Sequence, residues 1–105
     1  MGTVELGVKH LPDVKNRRRT GNIPQGSVYV GRPSKWGNPF KIGLRYQGRI
    51  LDRQGAVDVH EYWLLNSEKG LKLMGDIGEL RGKDLVCWCS PLPCHAYTLL
   101  REANG

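Results

Sequence analysis

Acidic residues are scarce in the first half of this 105-residue chain, cysteines number only three, and no apolar stretch approaches the about 18 residues that a membrane-spanning helix needs. No signal-peptide pattern stands at the start, so neither membrane insertion nor export is expected. Three cysteines, an odd number crowded between Cys87 and Cys94, do not form the spaced framework of a disulfide-stapled secreted protein. A reducing, cytoplasmic setting is expected instead. The acid deficit is uneven. Residues 1–54 carry eleven Lys or Arg against three Asp or Glu, a net +8, whereas residues 55–105 carry five against seven, a net −2. One strongly basic half suits an anionic partner, whether nucleotide, nucleic acid or another phosphorylated molecule, because a positive field concentrates anions and steers their approach.

A hydrophobic content of 39% with three Trp and four Tyr is that of a folded chain, and its length suits one domain with a small core. Residues 1–13 read as an N-terminal arm or extra strand, from the alternation of Val4, Leu6 and Val8 ending at Leu11-Pro12-Asp13. Residues 14–105 read as a single α/β domain. Val14 to Arg19 is expected to be extended and basic, and Asn22 to Gly26 to turn the chain into a strand over Val28, Tyr29 and Val30. Lys41 to Leu51 suggests an irregular hairpin turning near Gln47-Gly48. Asp52 is a candidate N-cap for a helix from about Arg53 to Ser67, with Val59, Tyr62, Trp63 and Asn66 on one side. Leu71, Met74, Ile77 and Leu80 suggest a second helical segment, weakened by Gly75 and Gly78. Leu85 to Cys89, apolar throughout, predicts a second strand buried on both faces. Pro93 to Glu102 predicts a last helix with Ala96, Leu99, Leu100 and Ala103 inward. The sum is a small three-layer, Rossmann-like α/β fold with a short, mostly parallel sheet.

Two segments carry chemistry, and each follows a predicted strand. The first is Gly31 to Phe40. Arg32, Ser34, Lys35 and Asn38 supply donors, Gly31 and Gly37 permit close backbone approach, and Pro33 and Pro39 stiffen the path. Such a loop is a candidate phosphate cradle, with Trp36 as a flat surface for a base. The competing reading folds Trp36 and Phe40 onto the core. The second is the cluster Cys87, Cys89, Cys94 and His95. Cys94 and His95, in the first turn of the last helix, are the candidate catalytic pair, since exposed amides and the helix dipole lower a thiol pKa and an imidazole can act as base. Cys87 reads as a small buried hydrophobe. The alternative is a structural zinc held by all four side chains, against which stand their crowding into nine residues and the missing two-residue knuckle. If the two strands are parallel neighbours, both segments border one pocket beyond the strand ends. His60 reads as a surface or satisfied helix residue.

Val14-Lys15-Asn16-Arg17, the whole stretch Val28 to Phe40, Tyr62-Trp63-Leu64, Glu79 to Leu85, and Cys87-Trp88-Cys89 through Cys94-His95 together resemble the phage- and bacterium-borne domain of unknown function 4326. The resemblance spans about residues 14–104. It implies a compact α/β domain and motif positions at Gly31, Arg32, Trp36, Gly37, Asn38, Pro39, Cys87, Cys89, Cys94 and His95, without fixing an activity. Family members often carry Gly where this chain has Ala96.

Three functions are carried forward. The first is a pocket for a nucleotide or nucleotide-derived phosphorylated ligand, bound by Gly31, Arg32, Ser34, Lys35, Trp36, Gly37 and Asn38 opposite Cys94 and His95. Neither motif contains a carboxylate to serve as hydrolytic base, apart from the distant Asp84, so binding is favoured over catalysis. The second is a nucleic-acid module using Arg17, Arg18, Arg19, Lys35, Lys41, Arg45 and Arg49, with or without zinc. The third is a phage effector that grips a host protein.

Overall fold

The computed structural model describes residues 11–105; the alternating Val4, Leu6 and Val8 lie outside the described residues. The sheet is organised around Leu85, Val86 and Cys87, which form strand β5 (Leu85–Cys87) and are all buried. An apolar triplet with no polar face must be covered on both sides and paired along both edges. Strand β1 (Val14–Asn16) pairs with it in parallel, Val14 opposite Leu85 and Asn16 opposite Cys87. Strand β2 (Val28–Tyr29) pairs along the other edge, Val28 opposite Leu85 and Tyr29 opposite Val86, giving the order β1-β5-β2. The two predicted strands are therefore parallel neighbours. Asp13 extends the first edge, its amide donating to Asp84 Oδ1 (2.9 Å) and its carbonyl accepting from the Leu85 amide (2.9 Å).

Extension beyond Asn16 does not occur. The Asn16 side chain accepts the Arg18 amide at 2.8 Å, an N-cap that starts helix α1 (Arg17–Thr20) instead. The same side chain donates to the carbonyls of Ser90 (2.6 Å) and Trp88 (3.3 Å). The chain leaves β5 after Cys87, two residues before the expected strand end. Strands β3 (Arg45–Tyr46) and β4 (Arg49–Ile50) make the expected hairpin. Gln47 and Gly48, at φ 49° and 81°, take the two left-handed positions of its tight turn.

Helix α2 (Arg53–Asn66) is capped by Asp52, which accepts the Gly55 amide at 2.7 Å. Its buried face is Ala56, His60 and Leu64, not Val59, Tyr62 and Asn66. Spacing of four carries the stripe one residue round the helix from the expected line, leaving Tyr62 exposed and Trp63 half-buried beside it. His60 is thus a core residue. Ser67 closes α2 and caps helix α3 (Glu68–Met74), accepting the Gly70 amide at 2.9 Å. The predicted segment from Leu71 to Leu80 divides into α3 and a 3-10 turn, Ile77–Leu80, because the chain bends at Gly75 and Asp76; Leu80 is buried and Leu71 exposed. Helix α4 (His95–Asn104) begins two residues after Pro93, since Cys94 is still extended at φ −152°. Ala96, Leu99 and Ala103 face inward, and α4 packs on β1, β5 and the 3-10 turn, with α2 against it. The side chains of Leu64, Leu80, Leu85 and Leu99 are fully buried, and truncating any one to Ala costs about 2–5 kcal/mol. The result is a mixed α/β fold. No described helix is long and apolar enough to cross a membrane.

Candidate functional site

Beyond the carboxyl ends of β2 and β5 the chain turns away twice, and the two departures enclose a cavity of about 210 Å³. On one side Val30, its amide bonded to the Val86 carbonyl at 3.0 Å, leads into Gly31. A side chain on Gly31 would collide with the Tyr29 phenol, which folds back so that its hydroxyl donates to the Arg32 carbonyl at 2.8 Å. On the other side β5 runs into Trp88, Cys89 and the turn to Cys94 and His95. The first turns of α2 supply a third wall through Arg53, Ala56 and Val57.

Gly31, Arg32, Asn38, Cys94 and His95 all border this cavity, as does Lys41. The other loop residues do not. Ser34 Oγ donates to the Gly31 carbonyl at 2.6 Å, and the Gly37 amide donates to the Ser34 carbonyl at 3.0 Å, so the loop closes on itself instead of offering those donors to a ligand. Lys35 points away, its ammonium 3.1 Å from both Asp76 and Glu79, whose carboxylates hold its pKa above the usual lysine value. Trp36 is 4% exposed within the core, with Lys35 Nζ 5.1 Å from its ring centroid, so it is not free to stack on a base. Asn38 is the tie between loop and helix. Its Nδ2 donates to the Ala56 carbonyl (3.1 Å) while Oδ1 accepts the Phe40 amide (2.8 Å), and Arg32 Nη1 donates to the Asn38 carbonyl (2.8 Å).

The thiols are arranged differently from the helix-dipole expectation. Cys94 occupies the N-cap position of α4, but its sulfur makes no capping bond. The neighbouring Cys87 thiol, and burial after it, push the Cys94 pKa up. Cys87 moves the other way, down to about 6, because its sulfur accepts from Cys94 and then from the Ser90 and Cys89 amides. Cys87 is 1% exposed and yet lines the cavity, so burial in a core strand does not remove it from the site. His95 Nε2 lies 2.8 Å from the Val30 carbonyl, which only accepts, and this fixes the proton on Nε2. Nδ1 then faces Cys94 Sγ at 3.6 Å. Burial lowers the His95 pKa, the Val30 carbonyl opposes that in part, and the Arg32 charge lowers it further, so the ring is neutral.

Among the described residues no group of three or more His, Cys, Asp or Glu is arranged to hold a metal ion. The other basic residues lie elsewhere. Arg18 and Arg19 are exposed on α1, and Arg45 and Arg49 on the hairpin. Arg17 sits 5.8 Å from the Tyr29 ring centroid and 5.7 Å from that of Trp88.

Tyr29, Trp88 and Arg53 line the cavity without having been expected there. Tyr29 and Trp88 sat inside predicted strands, and Arg53 was counted only as a helix start. A signal for Arg53 was present, since a cation immediately after an N-cap stands at the helix end that also borders the hairpin.

A family model with the description Domain of unknown function (DUF4326) matches residues 14–105, from the first residue of β1 to the end of the chain. The chain belongs to this family. No curated protein and no solved structure matches it. The DUF4326 match takes in both cavity-forming segments, so the Gly31 to Phe40 loop and the Cys94-His95 helix start are parts of one family domain.

Proposed function

We propose that this DUF4326 domain binds a nucleotide or another phosphorylated, nucleotide-derived ligand in the cavity between the Gly31 to Phe40 loop and the start of α4. One observation carries the reading. Arg32, Lys41 and Arg53 line the cavity, and among the described residues no Asp or Glu lines it with them. Cations gathered in a concave, partly apolar site with no described carboxylate on its walls favour a ligand that brings the negative charge, and two guanidinium groups suit phosphate oxygens through paired N–H bonds. Phe40, Ile42, Ala56, Val57 and Pro93 supply apolar wall for the remainder of the ligand. That no described carboxylate lines the cavity also speaks for binding over hydrolysis, because the described walls carry no oxygen base. Cys87, Cys94 and His95 remain the groups from which any covalent or proton-transfer chemistry would come. The free thiols suit a reducing, cytoplasmic location.

Nucleic-acid binding is the second reading, and Arg18, Arg19, Arg45 and Arg49 favour it, being exposed and free of ion pairs among the described residues. Salt separates the two. Titration calorimetry with adenosine monophosphate and with a single-stranded oligonucleotide, from about 50 to 200 mM salt, reads the number of phosphates neutralised. A cavity binder holds the mononucleotide, loses it on Arg53→Gln and shows a shallow salt slope. An oligonucleotide slope equivalent to several phosphates, with no mononucleotide affinity, refutes the cavity reading.

A further inference from the structure

The cavity has a second aromatic wall whose geometry is fixed from three directions. Trp88 is 51% exposed at the end of β5 and borders the cavity. Its indole N–H donates to the Tyr29 hydroxyl at 2.9 Å. That hydroxyl donates in turn to the Arg32 carbonyl at 2.8 Å. The Arg17 guanidinium lies 5.7 Å from the indole centroid and 5.8 Å from the Tyr29 centroid, within cation–π range of both rings. Asn16 holds the backbone at the same point through the Trp88 carbonyl, at 3.3 Å. A half-exposed tryptophan normally keeps its one donor on water and samples rotamers. Here the donor is used internally, and the Tyr29 bond together with the Arg17 contact holds the half-exposed ring at the border of the cavity.

We infer that Trp88 is the stacking platform for a nucleobase, and that the ligand class of this cavity is therefore a nucleotide, not a sugar phosphate or inorganic phosphate. The inference rests on the reading of the cavity as an anion site. Two features narrow the class. A cationic ligand, which a tryptophan face also attracts, is opposed by Arg32, Lys41 and Arg53 around the same cavity, and Arg17 already supplies the cation that the rings accept. A sugar phosphate without a base covers less of the exposed indole than a flat aromatic ring does. A flat ring pays little ordering entropy against a surface already held in place, and stacking is tolerant of base identity because every base has a π face. Trp88 thus takes the role that Trp36, buried in the core, cannot perform.

The test uses the full chain, its Trp88→Leu and Trp88→Phe variants, and three probes: adenosine monophosphate, ribose 5-phosphate and adenosine. Because Trp88 is exposed, folding of each variant is verified by circular dichroism before titration. The inference predicts that adenosine monophosphate binds the unaltered protein about tenfold or more tighter than ribose 5-phosphate. Trp88→Leu should abolish that preference, costing adenosine monophosphate far more affinity than it costs ribose 5-phosphate, and Trp88→Phe should restore part of it. Saturating adenosine monophosphate should also quench a tryptophan emission component that is missing from Trp88→Leu. Equal affinity for the two phosphates, or a preference that survives Trp88→Leu, overturns the stacking role and leaves the anion site standing. Failure of both phosphates to bind the unaltered protein overturns the anion site, and the stacking role with it.

Discussion

Replacing His60 by leucine should make the fold markedly less sensitive to acid. His60 is 1% exposed on the inner face of α2, its Nδ1 has no hydrogen-bond partner among the described residues, and its ring meets the His95 ring edge-on at 5.1 Å. Burial, and then the neighbouring His95, lower its pKa from 6.5 to about 3. The sign follows from linkage. Above pH 6.5 the ring is neutral in both folded and unfolded chains and contributes nothing to the pH dependence. Below 6.5 the unfolded chain takes up a proton that the folded chain refuses until about 3, so stability falls as the pH falls through that window. Between about pH 7 and pH 5 the loss from this one group is about 2 kcal/mol, growing to about 3 kcal/mol near pH 4. For a domain of this size 2 kcal/mol corresponds to about 10 °C in Tm. His95, lowered in the same direction, adds to the acid loss of the native protein, so the comparison between variants isolates His60. Urea unfolding at pH 7 and pH 5 reads the difference directly. His60→Leu removes the unpartnered nitrogen at nearly constant volume, so its stability at pH 7 should match or exceed that of the native protein. Its loss on going to pH 5 should be smaller by about 2 kcal/mol. If the two proteins lose equal stability, His60 is not held neutral by the fold and the assignment of this core position fails.

Other outcomes follow from the same contacts. Iodoacetamide labelling followed by mass mapping should modify Cys87 with a midpoint near pH 6, and Cys94→Ala should shift that midpoint upward, since the Cys94 thiol is the main group lowering it; a midpoint that Cys94→Ala leaves in place refutes Cys94 as the cause. Gly70→Ala should destabilise the domain by about 1–3 kcal/mol in chemical denaturation, because its Cβ would meet the Trp63 carbonyl and lie 2.6 Å from Leu64 Cα, forcing α2 and α3 apart. Asn38→Ala removes the bond to the Ala56 carbonyl on α2 and the one that holds the Phe40 amide, and should cost about 2 kcal/mol together with affinity for any cavity ligand. Lys35→Gln, by contrast, should leave mononucleotide affinity unchanged in titration calorimetry, since that ammonium is bonded to Asp76 and Glu79 away from the cavity.

The fold was legible where the signal is local. The apolar run at Leu85 to Cys87, the Asp52 cap and the Gln47-Gly48 turn each state their conformation within a few residues, and each stands as expected. What failed depends on partners far along the chain. Asn16 both caps α1 and clasps the carbonyls of Trp88 and Ser90, more than seventy residues away, and nothing in Val14 to Arg19 announces that partner. Lys35 looked like a phosphate ligand because its neighbours did, yet Asp76 and Glu79, 41 and 44 residues on, take its charge. The aromatic question has the same form. Trp36 follows one predicted strand and Trp88 lies within the other, and only the tertiary arrangement decides which indole is buried and which borders the cavity. The shift of the α2 stripe onto His60 is a one-residue error in phase, and its consequence is a buried titratable ring.

The most direct test of the cavity as a nucleotide site is native mass spectrometry of protein purified without chelator, set beside the same sample denatured, before and after addition of adenosine monophosphate. The account predicts a complex one ligand heavier than the chain, released on denaturation with a nucleobase ultraviolet spectrum and lost in Arg53→Gln. A native mass equal to the denatured mass even at saturating adenosine monophosphate contradicts it. So does a retained mass of one metal ion that disappears on replacing Cys87 or Cys94, because those thiols would then be a ligand set and not the wall of a nucleotide pocket.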